Sequence, residues 1–225
     1  MDIAIAGGHG TVAMLLHPLL VDRGHTVRGL IRNPDQATDL EDVGAEAVLF
    51  DLESDDDITE VIAGADAVVF AAGAGSGSSA QRKWSVDRDG ALKLIDGATR
   101  CGIDRYVMLS AMGVDADPDT DNEVFRAYLQ AKAQADEALR NSGLAYTIIR
   151  PGSLTDDEPT GRIALGRDVD GGQIPRADVA AVIAYAVEHR ETADAQLEVV
   201  SGNTPIDDAF RSACGSRRSS ISGRR

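Results

Sequence analysis

The chain has 225 residues, 43% of them hydrophobic, and a formal net charge of −15. That length suits one large domain with a buried core, and no uninterrupted apolar run nears the roughly 20 residues that cross a bilayer. The balance of 27 Asp and 10 Glu against 19 Arg and 3 Lys repels nucleic-acid phosphates and anionic membranes, which argues against both as partners.

Strand and helix signals alternate along the first 150 residues. Strands are expected at 2–6, 26–31, 46–50, 67–71, 105–110 and 145–150, with helices near 11–23, 34–42, 56–63, 82–101 and 123–142. Several strands are continuous apolar runs, as in a sheet covered on both faces. Glycine stops two helices, at Arg23-Gly24-His25 and at Asn141-Ser142-Gly143. The pattern predicts an α/β, Rossmann-type three-layer α/β/α fold with a mostly parallel, doubly wound sheet. After Pro151 it changes: short extended pieces at 161–165 and 172–175, a helix at 176–190, a last strand at 196–201 and a short helix near 205–213. Residues 1–211 read as one domain with a small C-terminal substrate-side subregion, and 212–225 as a disordered basic tail.

Cys101 and Cys214 are the only cysteines, and His9, His17, His25 and His189 are scattered. Neither a disulfide framework nor a metal site is indicated. No basic segment precedes an apolar stretch at the N-terminus, so the expected compartment is the reducing cytoplasm. The Asp-rich, Lys-poor composition also resembles that of halophile-like acidic surfaces.

The chemistry starts at residues 1–13, where Asp2–Ala6 runs into Gly7-Gly8-His9-Gly10-Thr11-Val12-Ala13. A strand, a glycine turn and a helix start form a phosphate cradle, because glycines admit a pyrophosphate and the helix dipole stabilises its charge. Two registers fit: Gly8-x-Gly10-x-x-Ala13 and Gly7-x-x-Gly10-x-x-Ala13. His9 could cap the loop, touch a phosphate or face solvent. The second strand ends at Arg32, where dinucleotide folds that prefer NAD carry an acid; a guanidinium there favours NADP(H) over NAD(H). A surface salt bridge is the bland alternative for Arg32. Asp51 could accept from an adenine amino group while Leu52 covers the ring, or Asp51 could simply cap a helix. Ala71-Ala72-Gly73 would let the chain pass close to the cofactor's centre, with Val86–Gly90 supporting from beneath.

These segments, with Arg32-Asn33-Pro34, Ser110-Ala111, Tyr128-x-x-Ala131-Lys132, Tyr146–Gly152, Asp178-Val179-Ala180 and Ser201–Pro205, form a specific pattern. The chain resembles an atypical short-chain dehydrogenase/reductase of the NmrA-like, NAD(P)-binding group, close to proteins loosely described as NAD-dependent epimerase/dehydratase. The resemblance runs from the glycine loop to about Phe210 and implies the fold and the cofactor class. It also places Pro151 and Gly152 on the nicotinamide side. Reaction is left open, since the group includes reductases, isomerase-like enzymes and NADPH sensors.

Ser110, Tyr128 and Lys132 form the candidate catalytic set. Tyr128 and Lys132 are four apart on one helix face, and a nearby ammonium lowers a phenol's pKa. Tyr128 would shuttle a proton to or from a carbonyl or alcohol oxygen, Ser110 would hydrogen-bond that oxygen, and Lys132 would reach the nicotinamide ribose. A plain helix-surface pair is the competing explanation, and the acidic segment 111–122 separates Ser110 from Tyr128. The sequence thus reads as a monomeric or homodimeric NADP(H)-binding oxidoreductase reducing a small carbonyl, quinone or flavin-like acceptor. A non-catalytic NADPH-sensing regulator and a nucleotide-sugar epimerase/dehydratase-like enzyme are the alternatives.

Overall fold

The computed structural model describes residues 1–75, 77–116 and 121–215. Among the described residues, ten strands and a short bridge are interspersed with helices: β1 (Asp2–Ala6), α1 (Thr11–Asp22), β2 (Thr26–Ile31), α2 (Ala37–Asp42), β3 (Glu46–Leu49), α3 (Thr59–Ile62) and β4 (Ala67–Phe70) come first. Next are α4 (Ala80–Arg82), a π-helical segment (Lys83–Asp89), α5 (Gly90–Cys101), β5 (Arg105–Leu109), α6 (Glu123–Arg140), β6 (Ala145–Pro151) and β7 (Ser153–Thr155). The chain continues with β8 (Arg162–Gly166), β9 (Gln173–Pro175), α7 (Arg176–Glu188), β10 (Ala195–Ser201), the bridge β11 (Thr204–Pro205) and α8 (Ile206–Gly215).

The main sheet has the order β11-β8-β10-β6-β5-β4-β1-β2-β3. From β3 to β10 every pairing is parallel, whereas β8 and β11 close the far edge antiparallel. This is the expected doubly wound Rossmann-type sheet. Chain order reverses between β1 and β4, and the crevice at the carboxyl ends of those two strands is where such sheets bind ligands. A separate parallel pair, β7 with β9, stands beside it.

Alternation along β1 divides the core. Ile3 and Ile5 join Leu16 and Leu20 of α1 and Val179 and Ile183 of α7 on one face. Ala4 and Ala6 join Leu94 of α5 and Ala135 and Leu139 of α6 on the other. Successive side chains of a strand point to opposite faces, so each apolar run feeds two layers. Helix α6 starts where the Asn122 side chain accepts from the Phe125 amide, with Glu123 in its first turn and Arg140 in its last, a capped and dipole-matched helix.

Several boundaries differ from expectation. The helix predicted at 56–63 runs only from Thr59 to Ile62. The helix predicted at 82–101 begins at Ala80 and changes to π geometry over Lys83–Asp89. The tail expected from 212 instead continues α8 to Gly215, because Cys214 is buried in the same cluster as Tyr185 and Phe210. The rest of that tail, 216–225, lies outside the described residues, as do 117–120 of the acidic segment. Among the described residues, no helix is long and apolar enough to cross a membrane.

Candidate active site

The glycine loop decides which register applies. Gly7 has φ +81°, and a Cβ there would sit 2.5 Å from the Ala72 Cα, so both conformation and space demand glycine. Gly10 is the residue preceding α1; its amide bonds back to the Gly7 carbonyl at 2.9 Å, and no side chain caps the helix. Ala13 is fully buried where α1 meets the sheet. The geometry therefore follows Gly7-x-x-Gly10-x-x-Ala13. Gly8 serves packing: its amide donates to the Leu30 carbonyl at 2.9 Å, and a Cβ would meet Gly29 backbone at 2.7 Å. It lines neither of the cavities described below, so it is a close-approach residue between loop and β2.

A cavity of about 230 Å³ opens over β1, β2, β3 and β4, lined by Gly7, His9, Gly10, Arg32, Asp51, Leu52 and Ala71–Ala74. His9 pairs with Asp39, Nε2 to Oδ2 at 2.7 Å. Asp51 makes a turn: its Oδ1 accepts from the Glu53 amide at 2.9 Å and its carbonyl from the Ser54 hydroxyl at 2.9 Å. That turn delivers Glu53 to the same cavity, where its Oε2 lies 2.8 Å from Arg82 Nη2 and 3.6 Å from Arg32 Nη1. Partial burial works against ionising Glu53, but hydrogen bonds from Ser85 and Arg82 and the charges of Arg82 and Arg32 outweigh it and lower its pKa.

A second cavity, about 710 Å³, shares the Gly10 and Ala71–Ala74 wall and extends past Thr11 and Val12 to Ser110, Tyr128, Lys132, Pro151 and Gly152. Ser110 and Tyr128, separated in sequence by the acidic segment, both line it. Its outer wall adds Val124, Phe125 and Leu154, with Lys83 and Arg176 as cations. The Lys83 ammonium lies 5.3 Å from the Tyr128 ring centroid, within cation–π range. Gly152 is required by space, since a Cβ would come within 2.3 Å of the Gly172 carbonyl oxygen.

Charge inside this cavity differs from the sequence expectation at two places. Burial raises the Tyr128 pKa; Lys132 lowers it but does not prevail, and Asp87 and Asp136 add to the rise. The lysine is already engaged: its ammonium donates to the carbonyls of Leu109 at 3.0 Å and Ala72 at 3.4 Å and lies 3.5 Å from the buried Asp87. Burial thus favours the neutral phenol of Tyr128 over the phenolate. Asp87 in turn accepts from the Ala74 amide at 3.1 Å, fixing the loop after β4. Ser110 donates its hydroxyl proton to Asp136 at 2.9 Å, and Arg150 Nε donates to the same oxygen at 2.8 Å. Burial raises the Asp136 pKa, with Arg150, Ser110 and Lys132 opposing. A hydroxyl has one proton, so Ser110 presents lone pairs to the cavity and donates to a substrate oxygen only by leaving Asp136.

Glu53, Arg82, Lys83, Asp136, Arg150 and Arg176 were not singled out from sequence. Asp136 had a visible signal, since it follows Tyr128 and Lys132 at a further four-residue step on one helix face. Glu53 and Arg82 lie in the segments after β3 and β4, where the carboxyl-edge rule for open sheets could have flagged them.

The residues present suit a dinucleotide: a positive-φ glycine turn that any Cβ would fill, an uncapped twelve-residue helix pointing its amides at the loop, and a cleft spanning the switch point. Fold and cleft together define a Rossmann-type dinucleotide-binding protein. Residues 7–190 match the family model described as NAD(P)H-binding, and the chain belongs to that family. It is 36% identical over 213 residues to an uncharacterized sugar epimerase of Bacillus subtilis (strain 168), covering 94% of this chain and 99% of that protein. A solved structure from Bacillus halodurans, provisionally described as an NAD-dependent epimerase/dehydratase, superposes with a TM-score of 0.88 at 36% identity, covering 94% of this chain and 99% of the other. The oxidoreductase ylbE from Lactococcus lactis gives a TM-score of 0.81 at 28% identity, covering 94% and 96%.

Proposed function

We propose that the protein is an NADP(H)-dependent oxidoreductase that reduces a carbonyl, quinone or flavin-like acceptor in the larger cavity. One observation carries the reading: the glycine loop and the Tyr128 side chain line cavities that share the Gly10 and Ala71–Ala74 wall. The amides of Thr11 and Val12 and the dipole of α1 would hold the pyrophosphate. Arg32 would meet an adenosine 2′-phosphate, Leu52 the adenine, and Pro151 and Gly152 the nicotinamide end. A bound reduced nicotinamide supplies the hydride.

Tyr128 gives its proton to the acceptor oxygen; its raised pKa keeps the phenol protonated at neutral pH, so that the proton is there to be given. Lys132 and Asp87 hold the ends of β4 and β5 in register beneath it. Val124, Phe125 and Leu154 make the acceptor wall apolar, which suits a conjugated carbonyl, quinone or flavin ring better than a sugar. The test is a screen of carbonyls, quinones and flavins that follows NADPH absorbance, with Tyr128→Phe as control. Turnover in that variant should fall by roughly 100-fold or more while NADPH binding is kept. Inertness of the wild type toward every acceptor, with NADPH tightly bound, would favour a sensor instead.

A further inference from the structure

Three charged groups from three separate segments converge over the smaller cavity. Arg32 directly follows β2, Glu53 follows β3 and Arg82 ends α4. Arg82 Nε and Nη2 lie 3.1 and 2.8 Å from Glu53 Oε2, and Arg32 Nη1 lies 3.6 Å from the same oxygen. The Ser85 hydroxyl donates to Oε1 at 2.6 Å. The Asp51 turn fixes the Glu53 backbone, and the Lys93 ammonium donates to the Ser54 carbonyl beside it. All three side chains line the cavity and stay in reach of solvent, with exposures of 56% for Arg32, 33% for Arg82 and 26% for Glu53.

Two guanidinium forks around one carboxylate leave a surplus of positive charge. A phosphate monoester carries up to two charges and three terminal oxygens, and so matches two forks better than a carboxylate does. Glu53 competes with any such anion: it holds both arginines in place and repels a second negative group at short range. We propose that Arg82 acts with Arg32 as a two-arginine clamp for the adenosine 2′-phosphate, and that Glu53 is the clamp's internal competitor, setting how strongly NADP(H) is preferred over NAD(H). This rests on the reading that the cavity takes a nicotinamide dinucleotide.

The test is calorimetric titration of the full chain with NADP+, NAD+, 2′,5′-ADP and 5′-ADP, for wild type, Glu53→Gln, Arg82→Ala and Arg82→Gln. Glu53→Gln keeps the shape and the Ser85 hydrogen bond but removes the charge. It should tighten NADP+ and 2′,5′-ADP by roughly tenfold and leave the other two ligands within about twofold. Both Arg82 variants should weaken only the 2′-phosphorylated ligands, again by roughly tenfold. The proposal is overturned if Glu53→Gln weakens NAD+ and leaves NADP+ unchanged, because the carboxylate would then be serving ribose hydroxyls. It is equally overturned if the Arg82 variants weaken all four ligands alike. A folded wild type that binds neither dinucleotide removes the underlying reading as well, whereas normal wild-type binding with indifferent variants removes the clamp alone.

Discussion

His17 is fully buried in α1, and its Nε2 lies 2.7 Å from the Gly8 carbonyl oxygen. A carbonyl can only accept, so the imidazole is the Nε2–H tautomer, and its buried Nδ1 has no partner among the described residues. The peptide is planar and trans, so turning the Gly8 carbonyl into the protein turns the His9 N–H away from it. His17 thereby sets the orientation of a peptide inside the phosphate loop. Burial lowers its pKa below the ordinary 6.5, the Gly8 bond opposes this, and His9 adds to the fall. The fold favours the neutral ring, so this stabilisation is present above pH 6.5 and is lost as pH falls through the lowered folded value. His17→Leu should cost about 1–3 kcal/mol at pH 7.5 by leaving the Gly8 carbonyl unpaired. Denaturant titrations at a series of pH values check this: the gap from wild type should narrow below pH 6.5, and a gap that widens there contradicts the assignment.

The elements that matter most to the site are β1, α1 and β4, and their contact runs through one glycine. Gly7 at φ +81° lies against Ala72, just past the end of β4, whereas Gly10 has an ordinary φ of −67° and a Cβ added there would lie 3.1 Å from the Gly7 carbonyl oxygen. Gly7→Ala should destabilise the protein by about 2 kcal/mol or more, and Gly10→Ala by about 1 kcal/mol or less. Urea unfolding checks the ranking, and equal losses would show that the loop relaxes around either side chain. The strands that build the switch point were legible because their residues, such as Ala67–Phe70, are apolar without interruption and bounded by turns. The π-helical segment was not legible. Its register places Asp87 under the Ala74 amide and Val86 against the smaller cavity, a tertiary requirement that no local periodicity announces. The antiparallel setting of β8 and the β7–β9 pair were equally hidden, since both depend on partners distant in sequence.

At the scale of the whole molecule, a chain of net charge −15 repels an anionic nucleotide at long range. Screening confines that repulsion to about 8 Å at physiological ionic strength, so on the proposed reading the outcome is decided locally, by the α1 amides and the arginines over the smaller cavity. Sequence alone located the loop and Arg32, because both follow strands directly. It could not show that Arg32 shares Glu53 with Arg82, or that the Lys132 ammonium is bound to strand-end carbonyls, because those contacts join segments 20 to 60 residues apart. The most direct test is calorimetric titration of the folded wild type with NADP+ and NAD+ at fixed salt. Binding of both, with NADP+ the tighter, is the predicted result; no binding of either nucleotide to a protein shown to be folded would contradict it.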